Sequence, residues 1–379
     1  MKYMGSKRYM LQNGFGSAIT AAAADSERVV DLFAGSAAVS WYAAERFKQP
    51  VLAVDLQSYS AILARAVIAR TKPLDLESIE RQWLTPTLRS ARATKQWSPS
   101  GHFDQPTTKT RVREARRFCA REEVGPIAAA YGGHYFSPRQ ALLIDRALLR
   151  LPAREPNRSA CRAALIAAAA YCAAAPGHTA QPFQPTVSAL PYIRENWGRD
   201  PIAYARSWLR EIAPRHARKR GATEVADALD VAERLSSNDL VIIDPPYSDV
   251  QYSRFYHVLE AIARADESSA EVTISGVGRY PPFAQRPRSD FSLKSRSEEA
   301  IEDLLDALAD AGCRAIITFP KALCSNGLSG IQIARLARRQ FKVQTKTVKG
   351  NFSTLGGNGT TRAARAASAE LIISLSPLD

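Results

Sequence analysis

The feature that most constrains the fold is an apolar run that ends in an acid, two prolines and a tyrosine. Leu240–Ile243 has the length and composition of a buried strand, and Asp244-Pro245-Pro246-Tyr247 follows it directly. Proline cannot donate to a sheet ladder, so the strand has to stop there. These four residues therefore lie at the carboxyl end of a strand, where open α/β sheets bind their ligands. A strand that simply ends in a Pro-Pro turn with an N-cap acid is the alternative.

The same four residues suit an exocyclic amine on a planar ring. Asp244 and the proline carbonyls can accept hydrogen bonds from an amino group, and the ring of Tyr247 can stack on a base that has left its helix. The candidate catalytic residues are therefore Asp244, Pro245, Pro246 and Tyr247.

A second short strand, Val29–Leu32, is followed by Phe33 and then by the small residues Ala34-Gly35-Ser36. A helical pattern begins near Val39. Gly35 permits a tight turn, and a nucleotide-like cofactor can rest against the start of the helix. The alternative is a purely structural turn.

The next strand, Val51–Val54, ends at Asp55, about twenty residues after the glycine turn, a spacing seen in dinucleotide folds. An acid at that position can bind both hydroxyls of a ribose. The spacing favours a cofactor site over a structural turn.

Together these segments resemble the amino-group DNA methyltransferases that form N6-methyladenine, in the class whose cofactor motif precedes the Asp-Pro-Pro-Tyr motif. The opening Lys2-Tyr3-Met4-Gly5-Ser6-Lys7-Arg8 is similar to that family's aromatic-x-Gly-Gly/Ser-Lys segment, and Gln251–Glu260 resembles the helix after the catalytic motif. The resemblance is dense over residues 1–70 and 222–265, diffuse over 310–375 and thin over 75–215. The chain departs from the family at Ala37, where a second glycine is usual.

The resemblance implies that S-adenosylmethionine is the cofactor and that a flipped adenine is the substrate. For Asp227 a helix N-cap is an equal alternative, and for Lys7 a solvated lysine is the common case. The residues that the resemblance assigns to cofactor binding are Tyr3, Gly5, Ser6, Lys7, Asp31, Phe33, Ala34, Gly35, Ser36, Asp55, Leu56 and Asp227.

Composition agrees with a polyanionic partner. The net charge of +14 and the pI of about 9.7 suit phosphate contacts with DNA, and the hydrophobic content of 46% supports a sizeable core. Five scattered cysteines form no CxxC pair, so no metal site is readable. We expect their thiols to be reduced, as in a cytoplasmic protein, and a DNA partner would make the protein nucleoid-associated. The alanine-rich run 163–175 is too short to span a bilayer.

Strands that alternate with helices predict a doubly wound, Rossmann-like methyltransferase sheet. Residues 341–348 and 370–375 read as antiparallel edge strands. The expected organisation is a first catalytic part over 1–72, a largely helical target-recognition insertion over 73–221, and a second catalytic part over 222–379 that carries an insertion loop at 266–297.

Basic runs with interleaved aromatic residues fill the insertion and can follow a phosphate backbone. A solvated helical face is the alternative for these runs, and a plain disordered loop is the alternative for 266–297. The residues predicted to bind nucleic acid are Arg113, Arg116, Arg117, Arg254 and Arg279.

The expected function is site-specific methylation of the adenine N6 amino group in duplex DNA, with a cognate restriction or defence component as a further partner. Methylation of an RNA or protein amine is one alternative, and a catalytically weak DNA-binding subunit of a restriction-modification or defence system is another. A nicotinamide-dependent oxidoreductase is disfavoured because the cofactor loop lacks Gly-x-Gly-x-x-Gly.

Overall fold

The computed structural model describes residues 7–92, 108–121, 125–265, 274–353 and 365–378. The chain forms two compact units, which we call the sheet unit and the helical unit. The sheet unit comprises Met4–Lys72, Arg215–Tyr252 and Pro287–Asp379. The helical unit comprises Met1–Tyr3, Pro73–Pro214 and Ser253–Arg286. Across the described ranges, no helix is long and apolar enough to cross a membrane.

The sheet unit is built on one seven-stranded sheet of order β3-β2-β1-β4-β5-β7-β6. β1 to β5 are parallel, and β7 runs antiparallel to both β5 and β6. The strands are β1 (Arg28–Asp31), β2 (Val51–Asp55), β3 (Ala222–Val225), β4 (Asp239–Ile243), β5 (Arg314–Pro320), β6 (Phe341–Ser353) and β7 (Arg365–Pro377).

Helices cover the sheet and build most of the helical unit. They are α1 (Arg8–Met10), α2 (Gly16–Ala23), α3 (Ala38–Arg46), α4 (Ser58–Ile68), α5 (Leu76–Ile79), α6 (Thr85–Arg92), α7 (Lys109–Cys119), α8 (Pro126–Tyr131), α9 (Pro138–Leu149), α10 (Asn157–Cys172), α11 (Leu190–Trp197), α12 (Pro201–Ile212), α13 (Ala228–Ala232), α14 (Tyr252–Ala263), α15 (Ser297–Asp310) and α16 (Gly330–Ala337). Two π-helical segments, Leu11–Phe15 and Glu80–Leu84, and two short 3₁₀ turns, Phe283–Gln285 and Asp290–Ser292, complete the set.

This architecture confirms the predicted fold class, including the antiparallel pair at the edge of the sheet. The central strand β4 is fully buried because helices cover both faces of a parallel sheet. β3 was not predicted. Its four residues are exposed or half-exposed at the opposite edge, and such a short strand carries little hydrophobic signal.

One segment groups differently from the expected division of the chain. Ser253–Arg286 belongs to the helical unit, although the sequence placed it in the second catalytic part. The reason is local bonding: Arg162 Nη1 donates to the carbonyl of Ala263 at 2.9 Å, and Thr179 Oγ1 donates to that of Phe255 at 2.7 Å. α14 is therefore held by the helical insertion.

The alanine-rich run lies at the centre of the helical unit. α10 is buried along almost its whole length and packs against α12. Its small side chains allow the two helices to approach closely. The buried indole of Trp83 donates to the carbonyl of Ala147 at 2.9 Å and joins α9 to the π-helical segment.

Candidate active site

Three neighbouring strands bring the two predicted motifs to one edge of the sheet. β1 ends at Asp31, β2 at Asp55 and β4 at Ile243, and all three run parallel. Chain connections leave β1 in opposite directions on its two sides, which makes the β1–β4 boundary a topological switch point. The loop after β1 and the Asp244 motif after β4 therefore lie side by side.

The pairing register of β4 with β5 orients Asp244. Ile243 pairs with Ile317, so Thr318 lies beside the acid. Thr318 is fully buried, and its Oγ1 donates to Asp244 Oδ1 at 2.9 Å. The carboxylate is thereby held through one oxygen.

Lys7 contacts the same oxygen. Its Nζ lies 3.0 Å from Asp244 Oδ1 and 2.7 Å from Glu370 Oε2 on β7, and only 4% of its side chain is exposed. The alternative of a solvated lysine is therefore wrong. The contacts from Thr318 and Lys7 leave Oδ2 of Asp244 as the oxygen that neither uses.

Burial and charge act against each other in this cluster. Burial raises the pKa of Asp244 to about 6, because Lys7 lowers it only in part and Glu370 raises it further. Burial lowers the pKa of Lys7, but attraction to Asp244 and then to Glu370 more than offsets this, so its pKa is above the ordinary value. Lys7 is therefore a permanent cation beside the acid.

The carbonyl of Pro246 already has a donor. Asn326 is fully buried, and its Nδ2 donates to Pro246 at 2.9 Å and to the carbonyl of Phe291 at 3.1 Å. The expectation that both proline carbonyls stay available is therefore wrong for Pro246, which leaves Pro245 as the candidate acceptor. Asn326 escaped sequence reasoning because an asparagine before a glycine reads as an ordinary turn residue.

The ring of Tyr247 is partly buried against the sheet core. Lys7 Nζ lies 5.9 Å from the centroid of this ring and over one of its faces. Burial raises the pKa of Tyr247 to about 12, with Lys7 opposing the shift, so the hydroxyl stays protonated at neutral pH.

The loop between β1 and α3 contains two residues in the left-handed region. Gly35 has φ +49° and Ala37 has φ +62°. An L-residue other than glycine adopts this conformation at a cost of about 1–2 kcal/mol. Ala37 is fully buried, so its methyl group strains the backbone and does not narrow the crevice. The departure from the family's second glycine is thus a matter of loop stability.

Asp55 fastens the same loop from the neighbouring strand. Its Oδ2 accepts from the amide of Gly35 at 2.8 Å, and its Oδ1 accepts from that of Gln57 at 2.9 Å. Asp55 therefore shapes the loop after β1 from the end of its own strand.

Asp31 lies deeper. It is 1% exposed, and Ser40 Oγ donates to its Oδ2 at 2.5 Å. Burial raises the pKa of Asp31 to about 7, which the bond from Ser40 opposes. Its side chain ties β1 to α3 beneath the loop.

The other predicted cofactor residues surround this loop or fall outside the description. Phe33 is half-buried with its ring 5.1 Å from that of Phe291, edge to face. Asp227 is the N-cap of α13 and accepts from the amide of Leu229 at 3.0 Å, and burial raises its pKa. Ala34 is buried, whereas Ser36 and Leu56 are half-buried. Tyr3, Gly5 and Ser6 lie outside the described residues.

Comparison with known proteins agrees with this geometry. Residues 3–118 match the family model of the D12 class N6 adenine-specific DNA methyltransferases. The matched region contains the opening segment, the loop after β1 and Asp55. Over this region the chain is similar to that family of adenine methyltransferases. Asp244–Tyr247 lie outside the match and are placed beside it by the sheet.

A curated relative is similar to this chain over a short stretch. Modification methylase LlaI of Lactococcus lactis subsp. lactis is 40% identical over 68 residues, which is 18% of this chain. The chain spans about a tenth of that relative's length.

The side chains around the loop after β1 have a chemistry that fits S-adenosylmethionine. Asp55 ends β2, and Asp227 follows the neighbouring strand β3. The amide of Ala226 donates to the carbonyl of Asp55 at 3.2 Å and keeps the two strand ends together. Carboxylates suit ribose hydroxyls and an adenine amine, and the Phe33 ring supplies an apolar wall. Within the described residues, no group of three or more His, Cys, Asp or Glu side chains could hold a metal ion.

In the helical unit, the three predicted arginines of α7 differ in exposure. Arg113 and Arg117 are exposed. Arg116 is half-buried, and its Nε donates to the carbonyl of Gly133 at 3.0 Å. Burial and the neighbouring Arg279 lower the pKa of Arg116. Its placement corrects the expectation of a phosphate contact, because the guanidinium holds the turn after α8.

Arg279 is placed in the same way. Its Nε donates to the carbonyl of Ala130, and its Nη2 donates to that of Ala129 at 3.1 Å. These carbonyls end α8, where a cation is favoured by the helix dipole. Arg254, in contrast, is exposed, and its Nε donates to the hydroxyl of Tyr280 at 3.1 Å.

Two basic runs that are distant in sequence meet around one groove of the helical unit. The groove has a volume of about 780 Å³ and lies between the Leu76–Arg92 segment and α12. Arg206 forms a two-pronged bond to Glu80 at 2.9 and 2.6 Å and joins its walls. Its other arginines are Arg81, Arg89 and Arg210, all exposed.

Proposed function

We propose that the chain transfers a methyl group from S-adenosylmethionine to the N6 amino group of an adenine in DNA. The observation that carries the proposal is the partly buried Asp244 at the end of β4, anchored through Oδ1 by Thr318 and Lys7. The match of residues 3–118 to the family model, the loop after β1 and the net charge of +14 support the same conclusion.

The difficulty of the reaction is the amine itself, because its lone pair is conjugated with the purine ring. Asp244 Oδ2 and the carbonyl of Pro245 would accept its two hydrogens and so draw the nitrogen toward tetrahedral geometry. The cofactor supplies an electrophilic methyl group. Correct placement of the amine against it can contribute several kcal/mol through proximity.

Asp244 also meets the charge that develops on the amine. As the nitrogen forms its new bond it becomes positive, and the ionised carboxylate stabilises that charge in a site with little water. The excess proton would then pass to Asp244 Oδ2, which accepts from the amine, and from there to water. Thr318 and Lys7 fix the carboxylate, so little reorganisation is needed.

The target base has to leave the duplex to reach this edge of the sheet. Tyr247 would stack on it with the face that is not turned to Lys7. Asn326 fixes the carbonyl of Pro246 and with it the turn that presents the ring.

Transfer of a tritiated methyl group to duplex DNA, single-stranded DNA and RNA tests the proposal. We expect incorporation of the methyl group into duplex DNA. This incorporation should be lost when adenine is replaced by a base that lacks the amine. Exclusive incorporation into RNA would favour the RNA methyltransferase instead. Binding of DNA without any transfer would favour a non-catalytic subunit. A cognate nuclease is a further proposal, supported by the name of the modification methylase relative.

A further inference from the structure

The segment after α14 carries an exposed aromatic cluster that the transfer chemistry does not use. Ser275 and Tyr280 exchange two backbone hydrogen bonds, of 2.8 and 3.0 Å, and close a short turn. Arg279, in the left-handed region with φ +54°, fastens this turn to the carbonyls of Ala129 and Ala130. The turn therefore has a fixed position within the helical unit.

Tyr280 lies between two arginines. The Cζ atoms of Arg254 and Arg286 are 5.2 and 5.5 Å from the centre of its ring, and Arg254 also donates to its hydroxyl. The imidazole of His257 packs against the ring with 5.0 Å between centroids. Both the orientation of Tyr280 and that of its cations are thus set by neighbours.

Phe283 extends this arrangement to the surface. Its side chain is 62% exposed, and Cζ of Arg286 lies 5.2 Å from its ring centre. Arg286 therefore contacts Tyr280 on one side and Phe283 on the other. An exposed phenyl ring beside fixed cations is the combination with which proteins bind unpaired bases: the ring stacks on the base and the cations bind phosphate.

We infer that Phe283, Arg286, Tyr280 and Arg254 form a stacking site for an unpaired base of a DNA strand. The base would stack on the exposed face of Phe283, and its flanking phosphates would meet Arg254 and Arg286. Identification of the strand as DNA rests on the proposed function, because extrusion of an adenine leaves the base opposite it unpaired.

The test measures, by fluorescence anisotropy, how tightly the full chain binds a short labelled single-stranded DNA oligonucleotide. Phe283→Ala should weaken binding about tenfold, within the range for loss of one stacked base. Phe283→Trp should bind within about twofold of the parent, because the stacking face is kept. Phe283→Leu should resemble alanine, since leucine retains apolar area but no aromatic face.

Val277 provides a matched control, because it is also 62% exposed and lies nearby, in the turn that Ser275 and Tyr280 close. Val277→Ala should bind like the parent. Equal weakening by Val277→Ala and Phe283→Ala, full affinity of Phe283→Leu, or unchanged binding of Phe283→Ala would each overturn the inference. A preference for RNA over DNA of the same sequence would overturn the assignment of the strand.

Methyl transfer measured on the same preparations separates this inference from the proposed function. If the parent protein is active and Phe283→Ala binds DNA as the parent does, only the stacking site is overturned. If the parent protein is inactive but binding still depends on the ring at position 283, the proposed reaction is overturned and the stacking site is supported.

Discussion

The ammonium group of Lys7 and the carboxylate of Asp244 form a buried ion pair, with 3.0 Å between Nζ and Oδ1. Glu370 binds the other side of the ammonium, so one cation lies between two carboxylates. This cluster carries an excess negative charge where a positive charge would develop during methyl transfer. The predictions below follow from this cluster, from the loop after β1 and from the arginines.

Asp244→Ala should abolish methyl transfer while S-adenosylmethionine binding persists, because the proposed contact serves the target amine. Filter-based transfer assays and titration calorimetry measure the two properties separately. Asp249→Ala is a suitable control, since Asp249 is an exposed acid in the same turn. Transfer by Asp244→Ala within a few-fold of the parent would rule out the catalytic assignment.

The acidic side of the pH profile of the methyl-transfer rate should reflect ionisation of Asp244, whose pKa is raised to about 6 by burial. Transfer should rise with pH through this value, because the ionised form stabilises the developing cation. The raised pKa also means that this group's contribution to folding stability falls as the pH rises from about 4 to about 6.

Neighbouring charges should move this side of the profile in opposite directions. Lys7→Met should shift it to higher pH and Glu370→Gln to lower pH, because Lys7 lowers the pKa of Asp244 and Glu370 raises it. Lys48→Met, at an exposed lysine, is the control. Thermal melts confirm that each variant is folded. Shifts in the same direction for both variants would contradict the assignment.

Ala37→Gly should stabilise the fold by about 0.5–1 kcal/mol. Release of the left-handed strain contributes about 1–2 kcal/mol, and the greater freedom of glycine in the unfolded chain offsets part of it. Urea unfolding measures the difference. Ala43→Gly, in the interior of α3, should instead destabilise by about 1 kcal/mol. Destabilisation by Ala37→Gly would mean that the left-handed conformation carries no strain.

Asp55→Ala should weaken S-adenosylmethionine binding by about 1–3 kcal/mol, the usual cost of leaving buried polar groups unpaired. It removes a proposed ribose contact and also frees the amides of Gly35 and Gln57. Asp230→Ala, at an exposed acid on α13, should leave the dissociation constant unchanged. If calorimetry gives Asp55→Ala the same dissociation constant for S-adenosylmethionine as the parent, Asp55 has only a structural role.

The arginines of the helical unit should divide into two groups. Joint replacement of Arg81, Arg89 and Arg210 by glutamine should weaken DNA binding and make its salt dependence shallower, by up to about 0.9 in log–log slope for each lost phosphate contact. The double variant of the exposed Arg113 and Arg117 should act in the same direction.

Arg116→Ala should instead lower stability, because its guanidinium bonds to the carbonyl of Gly133. A salt series on each variant, together with thermal melts, separates the groups. An unchanged slope for the triple variant would make the groove a solvated surface, and a changed slope for Arg116→Ala would return that residue to the DNA interface.

The sequence was sufficient for the central fold because buried parallel strands are continuous apolar runs with sharp ends. Leu240–Ile243 followed by two prolines leaves little choice of structure. The edge strand β3 was missed because half-exposed polar residues give no such run. The helical unit was predicted only as a helical insertion, since its amphipathic pattern does not reveal which basic face is solvated.

Partners of buried polar groups could not be predicted in the same way. Asn326 and Glu370 reach the Asp244 motif through the register of distant elements, and no local pattern marks them. Arg116 and Arg279 had the composition of phosphate contacts but bond to backbone carbonyls. Composition gives the charge of a segment, whereas the direction of each side chain depends on packing.

The position of β7 between β5 and β6 has a consequence for biosynthesis. Glu370 lies on this strand, so the cluster around Asp244 is complete only after β7 has been translated and inserted beside β5. A nascent chain that already carries the cofactor loop and the Asp-Pro-Pro-Tyr motif has only Asp244 beside Lys7 and still lacks Glu370. Completion of this cluster would thus coincide with insertion of β7 beside β5.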